Sequence, residues 1–172
     1  REDSGKNGVW EIKRDWTPEM EDLFSVFVAK LFYVIPGSKK GWKPLHQATM
    51  DPTRNILFGI LGLNEDDISS EVNVSMAPDC ADAPYFIRAY FAWKLGLPIM
   101  FNECRRGNAL KGPRCMRFKS NLTKAFKKTS NPITRFNSFV KSYIGWRVHA
   151  GNPLTLPGEE SSDFYPIELT ES

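Results

Sequence analysis

Residues 79–98, DCADAPYFIRAYFAWKLGLP, carry the clearest structural signal in this chain of 172 residues. Pro84 has no amide proton, so it fits a helix only in about the first turn, where that proton would have no partner. Helix entry therefore falls near residues 80–82. Aromatic and small residues continue from there to Gly96, which with Pro98 makes a C-terminal stop. The sequence predicts a mostly buried helix with Cys80 at its N-terminus.

Cys80 is the residue in this stretch best suited to chemistry. A thiol attacks a carbonyl only as its thiolate, and free amides at a helix N-terminus favour negative charge. The backbone amides of Ala81 and Asp82 could also hold the oxyanion of a tetrahedral intermediate. Asp79 and Asp82 would then act as dipole partners or orient a substrate amine. The alternative is a buried cysteine packed as a small hydrophobe.

The pair Asp79-Cys80, followed at once by a helix of aromatic and small residues, resembles the nucleophile segment of the NlpC-type cell-wall cysteine peptidases of the papain-like superfamily. The resemblance covers about twenty residues. It implies an α+β, papain-like, helix-rich fold with a small antiparallel sheet, of which this chain could contain only a part. It also implies an amidase or peptidase without a cofactor, acting on peptidoglycan stem peptides or a related amide.

In that family a histidine from a downstream strand acts as the general base. His149 has the matching place, 69 positions after Cys80, in the segment GWRVHAG over residues 145–151. Apolar residues alternate there with Arg147 and His149, which is the two-residue period of a strand. His149 could equally be a surface histidine. His46 precedes the cysteine and would require a permuted arrangement, and a third alternative places the base beyond Ser172, in a longer or cleaved enzyme.

Cys104 and Cys115 enclose a short polar loop that has no apolar anchor of its own. We expect a disulfide between them, which leaves Cys80 as the odd thiol and indicates an oxidising compartment. The protein would then be periplasmic or secreted, its leader absent from this chain. The alternative is three reduced thiols in a cytosolic protein.

The chain is predicted to form one catalytic-type domain over residues 17–151. A flexible segment precedes it over residues 1–16, and an acidic, proline-containing segment follows over residues 152–172. No apolar run approaches the roughly 18 residues of a membrane span. Cys80 and its neighbouring acids lack a second cluster of His or Cys at ligand spacing, so we expect no metal site.

A rival interpretation rests on the region between Glu103 and His149, which holds twelve Lys or Arg and a single acid. Such a face could bind an anionic polymer, and the chain would then be a noncatalytic polyanion-binding module. Aromatic residues interleave with these charges: Phe118, Phe126, Phe136, Phe139 and Tyr143. They could instead be the buried side of helices whose lysines face water. The oligomeric state stays open.

Overall fold

The computed structural model describes residues 6–34, 36–37, 46–105, 108, 110–111, 114–126 and 128–148. For residues 46, 104–105 and 114–117 it describes the backbone only. It contains four α-helices within these ranges, a two-stranded sheet and one π-helical turn. In chain order these are α1 Pro18–Leu31, α2 His46–Thr49, α3 Ala83–Leu95, β1 Met100–Arg105, β2 Arg114–Ser120, α4 Pro132–Phe139 and the π-helical turn Val140–Gly145.

Helix α3 is the centre of the core, as its composition predicts. Ten of its thirteen residues are buried, and aromatic rings surround it on several sides. Phe27 of α1 stacks on Tyr90 with ring centroids 6.0 Å apart, and Phe136 of α4 stacks on Trp93 at 4.3 Å. Such pairs add to the stabilisation that burial of apolar area supplies. Helices α1 and α4 are therefore held in place by their contacts with α3.

Strands β1 and β2 form an antiparallel hairpin, so the protein combines helices with a small antiparallel sheet. The predicted α+β class is confirmed at this level. The hairpin packs on the core through Phe101, whose ring meets those of Tyr85 and Phe139 at 5.6 and 6.2 Å. Its strands extend into the expected polar loop between Cys104 and Cys115, because β1 reaches Arg105 and β2 begins at Arg114.

The strand predicted over residues 145–151 is wrong for its first four residues. Gly145 closes the π-helical turn, and the amides of Arg147 and Val148 both donate to the Ile144 carbonyl, at 3.1 and 2.9 Å. The alternation of apolar and polar residues here belongs to a helical turn rather than to a strand. Residues 149–151 lie outside the described residues.

The segment 1–16 was predicted to be flexible. In its described part, residues 6–16, it contacts the core. Val9 and Trp10 are buried. The indole nitrogens of Trp10 and Trp16 donate to the carbonyls of Leu97 and Pro98, at 2.8 and 2.7 Å. These residues therefore cap the C-terminal end of α3. Residues 1–5 and the whole predicted C-terminal segment 152–172 lie outside the described residues.

Among the described helices, none has the length and apolar character that a membrane crossing requires.

Candidate functional site at the turn before helix α3

Cys80 lies exposed in a single turn that leads into α3. The amide of Ala83 donates to the Asp79 carbonyl at 3.0 Å, which closes this turn in helical fashion. Pro84 has no N–H, so the carbonyl of Cys80 receives no donor from four residues ahead. The proline thus separates the turn from the regular hydrogen bonding of α3, and the thiol sits one turn ahead of a buried helix.

The carboxylate of Asp79 caps this turn. Its Oδ1 accepts hydrogen bonds from the amides of Ala81 and Asp82, at 2.8 and 3.1 Å. This is the arrangement of an N-cap residue, whose side chain satisfies amides two and three positions ahead. The two amides expected to hold an oxyanion are therefore occupied. The amide of Cys80 itself is bonded to no acceptor among the described residues.

Asp82 is buried, with 5% of its surface exposed, at the point where α3 meets the end of the π-helical turn. A Cβ atom placed on Gly145 would lie 3.9 Å from Asp82 Oδ2 and 3.5 Å from Met76 Cε. Both are ordinary van der Waals distances, so the chain passes against the N-terminal end of α3. The segment that continues from Gly145 to His149 therefore starts beside the turn that holds Cys80.

An ion pair fixes the course of that segment. Nη1 of Arg147 donates to Glu103 Oε1 at 2.6 Å, and Nζ of Lys119 lies 3.1 Å from Glu103 Oε2. Glu103 is a β1 residue with only 9% of its surface exposed. The chain before His149 is therefore tied to the hairpin, and the hairpin in turn contacts α3 through Tyr85 and Phe101.

The described residues bring four of the predicted site residues together, Asp79, Cys80, Ala81 and Asp82. His149 lies outside them. The backbones of Cys104 and Cys115 are direct partners in the sheet, while their side chains lie outside the described residues. The structure therefore places these four consecutive residues in one turn before α3.

The basic region offers few free aromatic faces. Phe136 and Phe139 are fully buried, and the half-buried rings of Phe126 and Tyr143 contact each other at 5.5 Å. Phe118 alone of the five is largely exposed, at 67%. Base stacking requires accessible ring faces. These aromatics mainly supply the buried side of the fold, which removes one support of the polyanion-binding interpretation.

The structure also contains a buried charge cluster that was not predicted from the sequence. The ammonium of Lys94 contacts Glu65 Oε1 and, at 2.5 Å, Asp66 Oδ2, and the side chains of all three are fully buried. The hydroxyl of Tyr90 donates to Asp66 at 2.7 Å and accepts from Asn55 Nδ2 at 2.8 Å. The signal in the sequence was a single lysine inside an otherwise apolar run, because a buried lysine requires an anionic partner.

Burial and hydrogen bonding act differently on the two carboxylates. Burial alone would raise the pKa of Glu65, but hydrogen bonds from Lys94 and from backbone amides hold it below its usual value. For Asp66, burial dominates and raises the pKa despite the nearby ammonium. Burial and the negative charge of Asp66 raise the pKa of Tyr90, which keeps its hydroxyl a donor. The cluster thus joins the turns around residue 65 to α3.

In the part of the chain that the structure describes, no three His, Cys, Asp or Glu side chains are grouped so that they could hold a metal ion. Comparisons with protein-family models, with curated proteins and with solved structures find no match to this chain.

Proposed function

We propose that this protein is a cysteine-nucleophile hydrolase, an amidase or peptidase, in which Cys80 attacks an amide carbonyl. The observation that carries the proposal is the placement of an exposed thiol in a capped turn at the N-terminal end of a buried helix. A structural cysteine of the packed kind would be buried. A rigid helix behind the thiol also limits its positions, which favours attack on a bound substrate.

The reaction follows from the groups in this turn. The thiolate sulfur of Cys80 adds to the carbonyl carbon, and the oxyanion accepts a hydrogen bond from the N–H of Cys80, since Asp79 occupies the next two amides. Collapse breaks the C–N bond, and the amine leaves with a proton from the base. Water then attacks the thioester, giving a carboxylic acid and restoring the thiol.

His149 is our candidate for the general base. The chain reaches it from Gly145, which lies against Asp82, and the ion pair of Arg147 with Glu103 holds the intervening residues. A neutral imidazole beside a thiol yields the thiolate–imidazolium pair that such enzymes use. Residues 145–148 do not form the predicted strand. The assignment of His149 therefore depends on its closeness in sequence to Gly145 and on its place after the cysteine, which is the order found in the family.

The papain-like fold, the peptidoglycan-type substrate and the periplasmic or secreted location belong to the same proposal. Their support is the resemblance of the Asp79-Cys80 segment to the NlpC-type peptidases. The stem peptides of the cell wall are therefore the first substrates to assay. Hydrolysis of their amide bonds is followed by the amine that is released.

Iodoacetamide labelling at neutral pH tests the nucleophile without knowledge of the substrate. Cys80 in the folded protein should be alkylated about tenfold faster than a free model thiol, because a nucleophilic site stabilises the thiolate. Cys80→Ser supplies the baseline for any other labelling, and peptide mapping confirms the site. A rate equal to or below that of the model thiol would remove the catalytic proposal.

His149→Ala tests the base. If the imidazole activates Cys80, this variant should lose roughly 10²-fold or more in hydrolysis with little change in folding, measured by circular dichroism. Labelling of Cys80 should slow in parallel. Full activity in His149→Ala would leave His46 or a residue beyond Ser172 as the base. Loss of folding in the variant is judged separately from the same spectra.

A further inference from the structure

The register of the β1–β2 hairpin changes at one point, between Glu103 and Cys104. Before this point Glu103 pairs with Arg117, and an unchanged register would place Cys104 opposite Met116. The bulge skips Met116, so Cys104 pairs with Cys115. A β-bulge of this kind puts two residues of one strand opposite one of the other. It is therefore the feature that makes the backbones of Cys104 and Cys115 direct partners in the sheet.

The same register continues beyond the cysteines. Arg105 pairs with Arg114, and the amides and carbonyls of Asn108 and Lys111 exchange hydrogen bonds at 2.7 and 3.2 Å near the tip. The two strands are thus paired on both sides of the cysteine pair. The alignment of Cys104 with Cys115 is fixed by backbone pairing on both sides and does not depend on the loop closing by chance.

The backbone geometry suits a disulfide. Residues directly opposite in an antiparallel pair have Cα atoms about 4.5 to 5.5 Å apart. Disulfides join Cα atoms about 4.4 to 6.8 Å apart, so the whole first range lies inside the second.

We propose that Cys104 and Cys115 form an intramolecular disulfide that locks the bulged register of the hairpin. It forms by two thiol–disulfide exchanges with a small disulfide oxidant such as oxidised glutathione. One cysteine thiolate attacks the oxidant and expels a thiolate, and the second cysteine attacks the mixed disulfide and expels another. The protein loses two electrons and two protons, and the oxidant becomes two thiols.

This link has a structural consequence beyond the loop it closes. Glu103, next to Cys104, holds Arg147 and Lys119. A locked register therefore fixes the strand position on which the path of residues 145–148 depends. The proposal rests on the backbone register alone and is independent of any catalytic role of Cys80.

Counting thiols in the full chain tests the proposal. The protein is equilibrated with oxidised and reduced glutathione at an oxidising ratio, denatured, and alkylated without reductant. We expect one alkylated cysteine, Cys80, and three after reduction. Trypsin cuts after Arg105 and Arg114, so a linked pair of peptides containing Cys104 and Cys115 should appear in the unreduced digest. Three labels without reductant, or a link that includes Cys80, would overturn the proposal.

Matched variants sharpen the count. Cys80→Ser should give no label before reduction, and Cys104→Ser should give two, because Cys115 loses its partner. Reductant should lower the thermal midpoint of the wild-type protein by roughly 5 to 10 °C, and should leave that of Cys104→Ser with Cys115→Ser unchanged. An equal response of both proteins to reductant would contradict a stabilising link. Three labels without reductant would leave the proposed function standing, because none of these readouts uses the native reactivity of Cys80, whereas a link that includes Cys80 would contradict both proposals.

Discussion

Replacing Lys94 by methionine is the sharpest test of what holds the turns around residue 65 to helix α3. Methionine keeps most of the aliphatic volume of lysine and removes the ammonium. Glu65 and Asp66 would then remain buried with no cation between them, since both contact the same Nζ atom. Their other partners, the amides of Leu61, Leu63 and Gly59 and the Tyr90 hydroxyl, are neutral.

The expected cost follows from the burial of all three side chains. Breaking a fully buried ion pair by removing one partner costs about 3 to 5 kcal/mol, because an uncompensated charge stays behind. For a chain of this length that corresponds to a fall in the thermal midpoint of roughly 6 to 20 °C. With a urea m-value of about 2 kcal/mol/M, the denaturation midpoint should fall by about 1.5 to 2.5 M.

Urea denaturation followed by tryptophan fluorescence and circular dichroism measures this cost. Lys141→Met is the matched control, because Lys141 is exposed on the π-helical turn and should change stability by less than about 0.5 kcal/mol. The triple variant Lys94→Met, Glu65→Gln, Asp66→Asn removes all three charges, so it should recover part of the loss. A Lys94→Met variant no less stable than Lys141→Met would refute the buried cluster.

Two further predictions concern the ends of the main helices. Gly96→Ala should destabilise the protein by about 1 to 2 kcal/mol in the same urea assay, because Gly96 has φ +67° and an added Cβ would lie 3.1 Å from Lys13 Cβ. An unchanged midpoint would contradict both the backbone strain and the close contact. The side-chain hydrogen bond from Arg88 holds the pKa of Glu21 below its usual value of 4.5, so its contribution to stability is present above that value and is lost as the pH falls through the lower folded-state pKa. Glu21→Gln should therefore reduce the loss of unfolding free energy at acid pH by a few tenths of a kcal/mol, because the pair is exposed. An unaltered pH dependence of stability would contradict a stabilising contact between Glu21 and Arg88.

Helices α1 and α3 could be predicted because their ends are marked locally. Thr17 and Pro18 begin α1, and the Thr17 hydroxyl accepts from the Met20 amide at 3.4 Å, as expected of an N-cap. Pro84 and Gly96 delimit α3 in the same way, Gly96 being the left-handed C-terminal residue. Signals of this kind act over a few residues, so they are visible in one sequence.

The hairpin could not be predicted, because its stability depends on partners distant in the chain. Cys104 and Arg105 belong to a polar run without strand alternation, and it is Phe101 that anchors β1, by contact with Tyr85 and Phe139. Long-range packing of this kind overrides weak local preference. The apolar residues spaced among lysines over residues 120–129 predict a helix, but among the described residues β2 runs to Ser120 and turns follow it.

The candidate site shows how a residue can be recognised from the sequence while its effect on the neighbouring amides is missed. Asp79 was expected to be a dipole partner beside free amides, but its carboxylate takes the amides of Ala81 and Asp82 for itself. A thiolate at Cys80 would then lie next to a negative charge and keep only its own N–H as a local donor. The helix N-terminus alone is a weak source of activation in such a turn, so the catalytic proposal requires a cationic partner. An imidazolium supplies that charge, which makes the histidine as necessary to the proposal as the cysteine itself.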